Sequence, residues 1–236
     1  MMGSQEERVI ADKEEGESAR TKNTSEDVVK NKIEEDLDID LKDLSPGTEI
    51  IEVEVKPVPY FKMILHSLKY AHPTSINNWV EIIGLMTGYI RHEGTPLERI
   101  VIEDAFPIGY GKAVTVEVKD YNAVTRILQD KKPGSFVVGW YHSHPGYGLF
   151  LSGRDMATQQ RYQKLWRQSI ALVLDPTLIS DSHYGLEIFR LSEDLKNIRS
   201  VRFKFKDLAP KPVPELIEFL LPLVDGKALF LEYDIN

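Results

Sequence analysis

His142 and His144 stand one residue apart, and Ser152 and Asp155 follow in the same short stretch, GWYHSHPGYGLFLSGRD (Gly139 to Asp155). Side chains at i and i+2 of a strand point to the same face, so two imidazoles at that spacing can share one metal ion. Pro145 and Gly146 break the strand and expose the pair at its rim. Asp155 falls at the start of the next helix, where it can turn back toward both imidazoles. Two histidines and one carboxylate leave the fourth position of a zinc ion for water, the arrangement of a catalytic rather than a structural site. A metal-free reading uses the same residues. Ser-x-x-Asp before a helix resembles a capping box with Asp in place of the usual Glu, and two histidines at a strand end can be plain surface groups. The joint spacing His-x-His-x7-Ser-x2-Asp is far more restrictive than either piece alone.

The sequence contains no cysteine and six histidines. Disulfides, thiolate nucleophiles and sulfur-ligated zinc are therefore excluded, and a transition-metal site must be built from His, Asp and Glu. Outside the quoted stretch, His66 lies within an amphipathic helix and reads as structural. His72 precedes a proline at a helix end and His92 lies in a turn, so both read as surface. His183 sits in the loop SDSHYG, where it could neighbour a substrate.

The elements that must position the site follow from periodicity. Glu49 to Lys56 alternates as a first strand, and Tyr60 to Ala71 carries helical spacing ended by His-Pro. Trp79 to Ile90, Glu98 to Phe106 and Ala113 to Val118 read as strands, and Asp120 to Asp130 as a helix. The strand Ser135 to His142 runs straight into the histidines, Gly153 to Trp166 is the helix after them, and Ser169 to Pro176 is another central strand. LEIFRL, VRFKFK, a helix around PELIEFLLPLV and a final ALFLEY complete the pattern. Strands and helices are mixed without strict alternation, which predicts an α/β fold, a mixed sheet sandwiched by helices.

The 236 residues suit one well-buried domain with an appendage. Residues 1–50 hold 15 acids and 7 bases, a net −8, while the remaining 186 hold 22 of each. The first aromatic residue is Tyr60. Residues 1–48 are thus expected to be a mostly disordered acidic extension, since they cannot bury enough apolar surface to offset ordering entropy. Ile33 to Leu44 alternates acids with Ile and Leu, as a solvated tail or as a docking segment. Without excess Lys and Arg, nucleic acid is not the expected partner. No apolar run reaches the ~20 residues of a membrane span, and the N-terminus has no apolar signal core. A cytoplasmic protein is expected.

On VVGWYHSHPGYG, LSGRD, the Asp-Pro of VLDP and EIIGLM upstream, the sequence resembles the JAMM (MPN+) zinc metalloprotease family, near the catalytic subunits of the proteasome lid and the COP9 signalosome. The resemblance runs from about Glu49 to Asn236. It implies an MPN domain, with a curved mixed sheet of cytidine-deaminase-like type, over residues 49–236. It also implies one zinc ion on His142, His144 and Asp155, and Glu81 of EIIGLM as the general base. Zinc lowers the pKa of its water from about 16 toward about 7. Glu81 takes the proton during attack on a carbonyl and delivers it to the leaving amine, while Ser152 hydrogen-bonds the oxyanion. Read from its neighbours alone, Glu81 sits between Trp79-Val80 and Ile82-Ile83, an apolar setting that suits acid/base work; an exposed acid where the strand begins is the other reading.

The implied substrate is ubiquitin or a ubiquitin-like modifier, cleaved after its C-terminal Gly-Gly in a groove that takes an extended tail, with the proteasome or an activating partner alongside. A non-catalytic MPN scaffold subunit and a peptidase of a small sulfur-carrier-type protein are the alternatives. A base deaminase would need cysteines, and a zincin would need His-Glu-x-x-His, which His92-Glu93 does not continue. Two departures stand out. Leu149-Phe150 replaces the Cys-Trp of close relatives, which alters the groove wall but no ligand. The chain also ends at Asn236 without the C-terminal helices of the lid subunits, from which a free-standing or loosely docked enzyme is expected.

Overall fold

Alternation along the strands sorts their side chains onto two faces, and a computed structural model describing residues 50–111 and 134–224 shows what covers each. Its elements run β1 (Val53–Val55), α1 (Pro57–Tyr70), a 3-10 turn (Pro73–Asn78), β2 (Glu81–Arg91), β3 (Arg99–Gly111) and β4 (Phe136–Ser143). They continue with α2 (Gly153–Leu165), β5 (Ile170–Ser180), β6 (His183–Leu191), β7 (Ile198–Ser200), β8 (Phe203–Phe205) and α3 (Val213–Val224). Among the described residues the strands form one sheet in the order β7-β6-β5-β4-β2-β3-β1-β8. Its pairings are mixed: β1 with β3, β1 with β8 and β4 with β5 run parallel, the others antiparallel. The expected extension 1–48, strand 113–118, helix 120–130 and final strand 228–233 lie outside the described residues.

One face of the sheet presents Ile82, Met86, Tyr141, Ile170, Leu172 and Leu174 to Tyr60, Met63, Ile64 and Leu68 of α1 and to Val213 at the start of α3. The opposite face presents Ile83, Leu85, Trp140, Ala171 and Val173, which pack with Leu151 and with Met156 and Tyr162 of α2. Two helical layers on a mixed sheet are the α/β sandwich the pattern predicts. The same alternation decides where the chemistry lies. Glu81 shares the parity of Ile83, and His142 and His144 share that of Trp140, so all three belong to the face that α2 covers.

Several boundaries move outward from the sequence reading. The helix starts at Pro57, not Tyr60, because a proline in the first turn gives up an N–H that has no partner there anyway. Strand β3 continues past Phe106 to Gly111; its register against β2 shifts between Ile83 and Gly84, where Pro107 pairs with Gly84. A bulge of that kind is where a sheet accepts proline.

Candidate functional site

Strand β4 carries His142 and leads directly into His144, and α2 carries the aspartate that meets them. His142 Nε2 and His144 Nε2 are 3.1 Å apart, and Asp155 Oδ2 lies 3.4 Å from the first and 3.6 Å from the second. Ligand atoms about 2.0–2.1 Å from a tetrahedral zinc ion stand about 3.3–3.4 Å from one another, so these three atoms have the spacing of one face of such a tetrahedron. Among the described residues this is the His/Cys/Asp/Glu group that could hold a metal ion. The donor set, two imidazoles and a carboxylate, suits zinc and is buried or half-buried.

The capping-box reading also holds. Asp155 Oδ2 accepts the N–H of Ser152 at 2.7 Å, and Ser152 Oγ accepts the N–H of Asp155 at 3.4 Å, closing the box at the start of α2. The two readings describe one arrangement: the cap fixes the rotamer that aims the Asp155 carboxylate at the imidazoles. Burial works against the Asp155 anion, yet hydrogen bonds from His142 and His144, the charge of His142 and the Ser152 contact hold its pKa well below the usual carboxylate range. Burial likewise opposes charge on His144, but Asp155, aided by Glu81, raises its pKa.

Glu81 begins β2 beside this group, with Oε1 4.0 Å from His144 Nε2. Its neighbour Ile82 donates its N–H to the buried Ser143 Oγ at 3.1 Å, which ties the start of β2 to the strand bearing the histidines. The apolar enclosure expected for Glu81 is only partial, since 38% of its side chain is accessible. Alternation turns Ile82 into the core and Glu81 toward the opening. Glu81, His142, His144, Ser152 and Asp155 all line one cleft of about 530 Å³.

Around the ligands the sheet and the segment after it supply aromatic walls. Trp140 stacks on His142 with ring centres 4.7 Å apart, and Phe150 lies 4.7 Å from the His144 ring. Trp140 Nε1 donates to Gln159 Oε1 at 2.8 Å, and Gln159 Nε2 donates to Gln163 Oε1 and to the Ser169 carbonyl. These buried glutamines fasten α2, and with it Asp155, to the sheet. Asp175, whose Asp-Pro context was part of the recognised pattern without an assigned role, is a further site residue. Its carboxylate accepts the N–H groups of Gly146 and Gly148 at 3.0 and 2.8 Å and both the N–H and Oγ1 of Thr177. Burial opposes its charge, but the bonds from Gly146, Thr177 and Gly148 lower its pKa. Gly146 has φ +77°, and a Cβ there would stand 3.3 Å from the Trp79 ring, so the turn after His144 requires glycine.

The remaining histidines stand apart. His66 Nδ1 lies 3.1 Å from Tyr141 Oη in the α1 layer, as a structural residue should. His183 opens β6, where its Nδ1 accepts the Gly185 N–H, and it does not line the cleft. His72 is half-buried rather than at the surface: the Trp79 indole donates to its carbonyl at 2.8 Å.

A family described as JAB1/Mov34/MPN/PAD-1 ubiquitin protease matches residues 48–168, which include Glu81, both histidines, Ser152 and Asp155. The chain belongs to this family. Among its relatives, the 26S proteasome regulatory subunit RPN11 of Encephalitozoon cuniculi is 36% identical over 119 residues, covering 49% of this chain and 39% of that protein. The rpn11 subunit of Schizosaccharomyces pombe is 34% identical over 143 residues, covering 59% and 43% respectively. The COP9 signalosome complex subunit 5a of Arabidopsis thaliana is 34% identical over 131 residues, covering 53% and 33%. The chain therefore spans less than half the length of these relatives. The family match spans the His-His-Asp group that could hold a metal ion, and among the described residues no helix is long and apolar enough to cross a membrane.

Proposed function

We propose that the chain is a zinc-dependent isopeptidase that hydrolyses the bond after the C-terminal Gly-Gly of ubiquitin or a ubiquitin-like modifier, in a cytoplasmic setting linked to proteasomal degradation. The observation that carries this reading is the convergence of His142 Nε2, His144 Nε2 and Asp155 Oδ2 within 3.1–3.6 Å, with the Glu81 carboxylate beside them in one open cleft. The kinship with proteasome and signalosome subunits supports the class of substrate. The catalytic unit is taken to start at Glu49, with residues 1–48 as an extension.

His142, His144 and Asp155 would hold one zinc ion, which when bound supplies Lewis-acid activation of water and of the scissile carbonyl. Glu81 Oε1 then accepts a proton as the new C–O bond forms and passes it to the leaving lysine amine as the C–N bond breaks. Partial exposure leaves that carboxylate room to turn between the two positions. Ser152 Oγ receives the Asp155 N–H, so its own hydroxyl hydrogen is available to the developing oxyanion. Ser152 is not the nucleophile, because both nearby imidazoles are turned to Asp155 and to each other and neither is free to act as its base.

The test is metal content followed by cleavage of a ubiquitin-type fusion with and without a zinc chelator. One zinc ion per chain and chelator-sensitive release at the di-glycine is the expected result. Zinc-loaded protein that leaves every Gly-Gly fusion intact, alone and with proteasomal partners, would overturn the isopeptidase assignment.

A further inference from the structure

Where the chain leaves the sheet after His144 it turns back on itself. Tyr147 donates its N–H to the His144 carbonyl at 3.0 Å, with Pro145 and Gly146 between them. Gly146 at φ +77° and Gly148 at φ +92° both occupy the left-handed region, so a glycine stands on each side of Tyr147. Glycines in such positions are permissive hinges, and on their own they would let the segment rearrange. The buried Asp175 carboxylate opposes that freedom from both sides: Oδ1 accepts the Gly146 N–H at 3.0 Å and Oδ2 the Gly148 N–H at 2.8 Å. Thr177 steadies the carboxylate by giving Oδ1 its N–H and its hydroxyl. Between the two clamped glycines the Tyr147 side chain stays 74% exposed and lines the cleft. A large ring left in water on a fastened backbone adds little to the core. It is presented to whatever enters.

We propose that Asp175 is a positioning residue for the substrate: it presets the turn from Gly146 to Gly148, so that Tyr147 meets the entering chain already in place. This rests on the isopeptidase reading for the identity of that chain. The β4–β5 pairing ends with Ser143 opposite Leu174, so Asp175 is the next residue along β5, beside the point where the turn begins. It shares the parity of Val173 and therefore rises on the face that carries the site. A substrate that had to freeze two glycine hinges on binding would lose affinity to the ordering; a turn fastened beforehand avoids that loss. The hydrogen bonds of Asp175 go to the turn and to Thr177, so its effect falls on binding rather than on the bond-breaking step. The two oxygens share the load unequally, which defines a selective variant. In Asp175→Asn the amide oxygen keeps the Oδ1 place, where three donors converge, and the NH2 group faces the Gly148 N–H, donor against donor. Only the Gly148 arm of the clamp is lost.

The experiment compares the parent, Asp175→Asn and Ser192→Ala as full-length, zinc-loaded chains. Ser192 Oγ accepts the Asn197 N–H at 3.0 Å in a loop that does not line the cleft, so its removal is a matched structural control. Amide hydrogen exchange, followed by NMR, reads the turn directly and without turnover. The Gly148 amide should exchange about tenfold or more faster in Asp175→Asn, as loss of a bond to a charged acceptor requires, and no faster in Ser192→Ala. Cleavage of a ubiquitin Gly-Gly fusion should show KM raised about tenfold in Asp175→Asn, with kcat within about twofold and zinc content unchanged. An unchanged KM, or a loss confined to kcat, would overturn the positioning role. A Gly148 amide that exchanges in the parent as fast as in an unstructured peptide would overturn the clamp, even where Asp175→Asn fails to fold. If the parent cleaves no Gly-Gly fusion the isopeptidase reading falls, while the exchange rates still decide whether Asp175 presets the turn.

Discussion

Replacing Gln159 with leucine tests whether the site is held together by the buried amide rather than by the apolar packing of α2. Gln159 is fully buried. It accepts from the Trp140 indole at 2.8 Å and donates to the Ser169 carbonyl at 2.7 Å and to Gln163 Oε1 at 2.9 Å. Leucine of similar reach leaves little cavity, so the cost comes from the polar groups left behind. Gln163 Oε1 keeps the Leu191 N–H, whereas the Trp140 N–H and the Ser169 carbonyl lose partners in the interior. Each such group costs about 1–3 kcal/mol, giving about 2–6 kcal/mol together, a large share of the roughly 5–15 kcal/mol of a typical domain. With a urea m-value of about 2 kcal/mol/M the midpoint falls by about 1–3 M at unchanged slope. Gln160→Leu is the control, since Gln160 makes a single half-buried contact, to the Leu195 carbonyl at 3.0 Å. It should shift the midpoint by less than about 0.5 M. A Gln159→Leu shift no larger than that of the control would refute the reasoning. Because Trp140 also stacks on His142, the destabilised variant should bind zinc more weakly, which equilibrium dialysis reads separately.

Glu81→Gln should keep one zinc ion per chain and lose about 10²–10⁴-fold in turnover; undiminished cleavage would remove Glu81 from the mechanism. Ser152→Ala takes away one half of the capping box, so unfolding should move by about 1 kcal/mol while kcat falls about 10²–10³-fold. A loss of turnover no greater than the loss of zinc occupancy would leave Ser152 as a cap alone. Burial, with the charge of Lys69 as a second cause, depresses His66 to about 4. The unfolded chain, with His near 6.5, therefore takes up the proton first. The His66 contribution is complete above that value and is lost as pH falls from about 6.5 toward 4. His66→Gln can still pair with Tyr141, so its urea midpoint relative to the parent should rise between pH 7 and pH 4.5. A constant difference would contradict the assignment.

Much of this site can be read from residue order because its ligands belong to one strand, one turn and one helix start, where periodicity and capping rules are local. His-x-His at the end of Phe136–Ser143 and Asp155 in the first turn of α2 are such cases. What escaped the sequence depends on pairing between distant segments. Asp175 holds the turn after His144 from a parallel neighbour strand, and no spacing rule links residues so far apart. The most deeply buried side chains of α2 are Gln159 and Gln163, which hydrophobic patterning assigns to solvent. Strand β5 runs through Pro176 to Ser180 across a register shift, where the proline had signalled an end. The partial exposure of Glu81 follows from which sheet face it joins, and its apolar neighbours in sequence do not report that.

All three metal-facing side chains lie on the continuous segment from His142 to Asp155, whereas Glu81 arrives from β2 through the antiparallel register that sets Ile83 opposite His142 and through the Ile82–Ser143 bond, which spans 61 residues of chain. Closing that long loop is entropically dearer and kinetically slower than forming the local turn. During refolding the capacity to capture an ion can therefore precede the arrival of the base. On the proposed reading, a chain that has reached only the first event would hold the ligand group without its base, and β2–β4 docking is the step that completes the site.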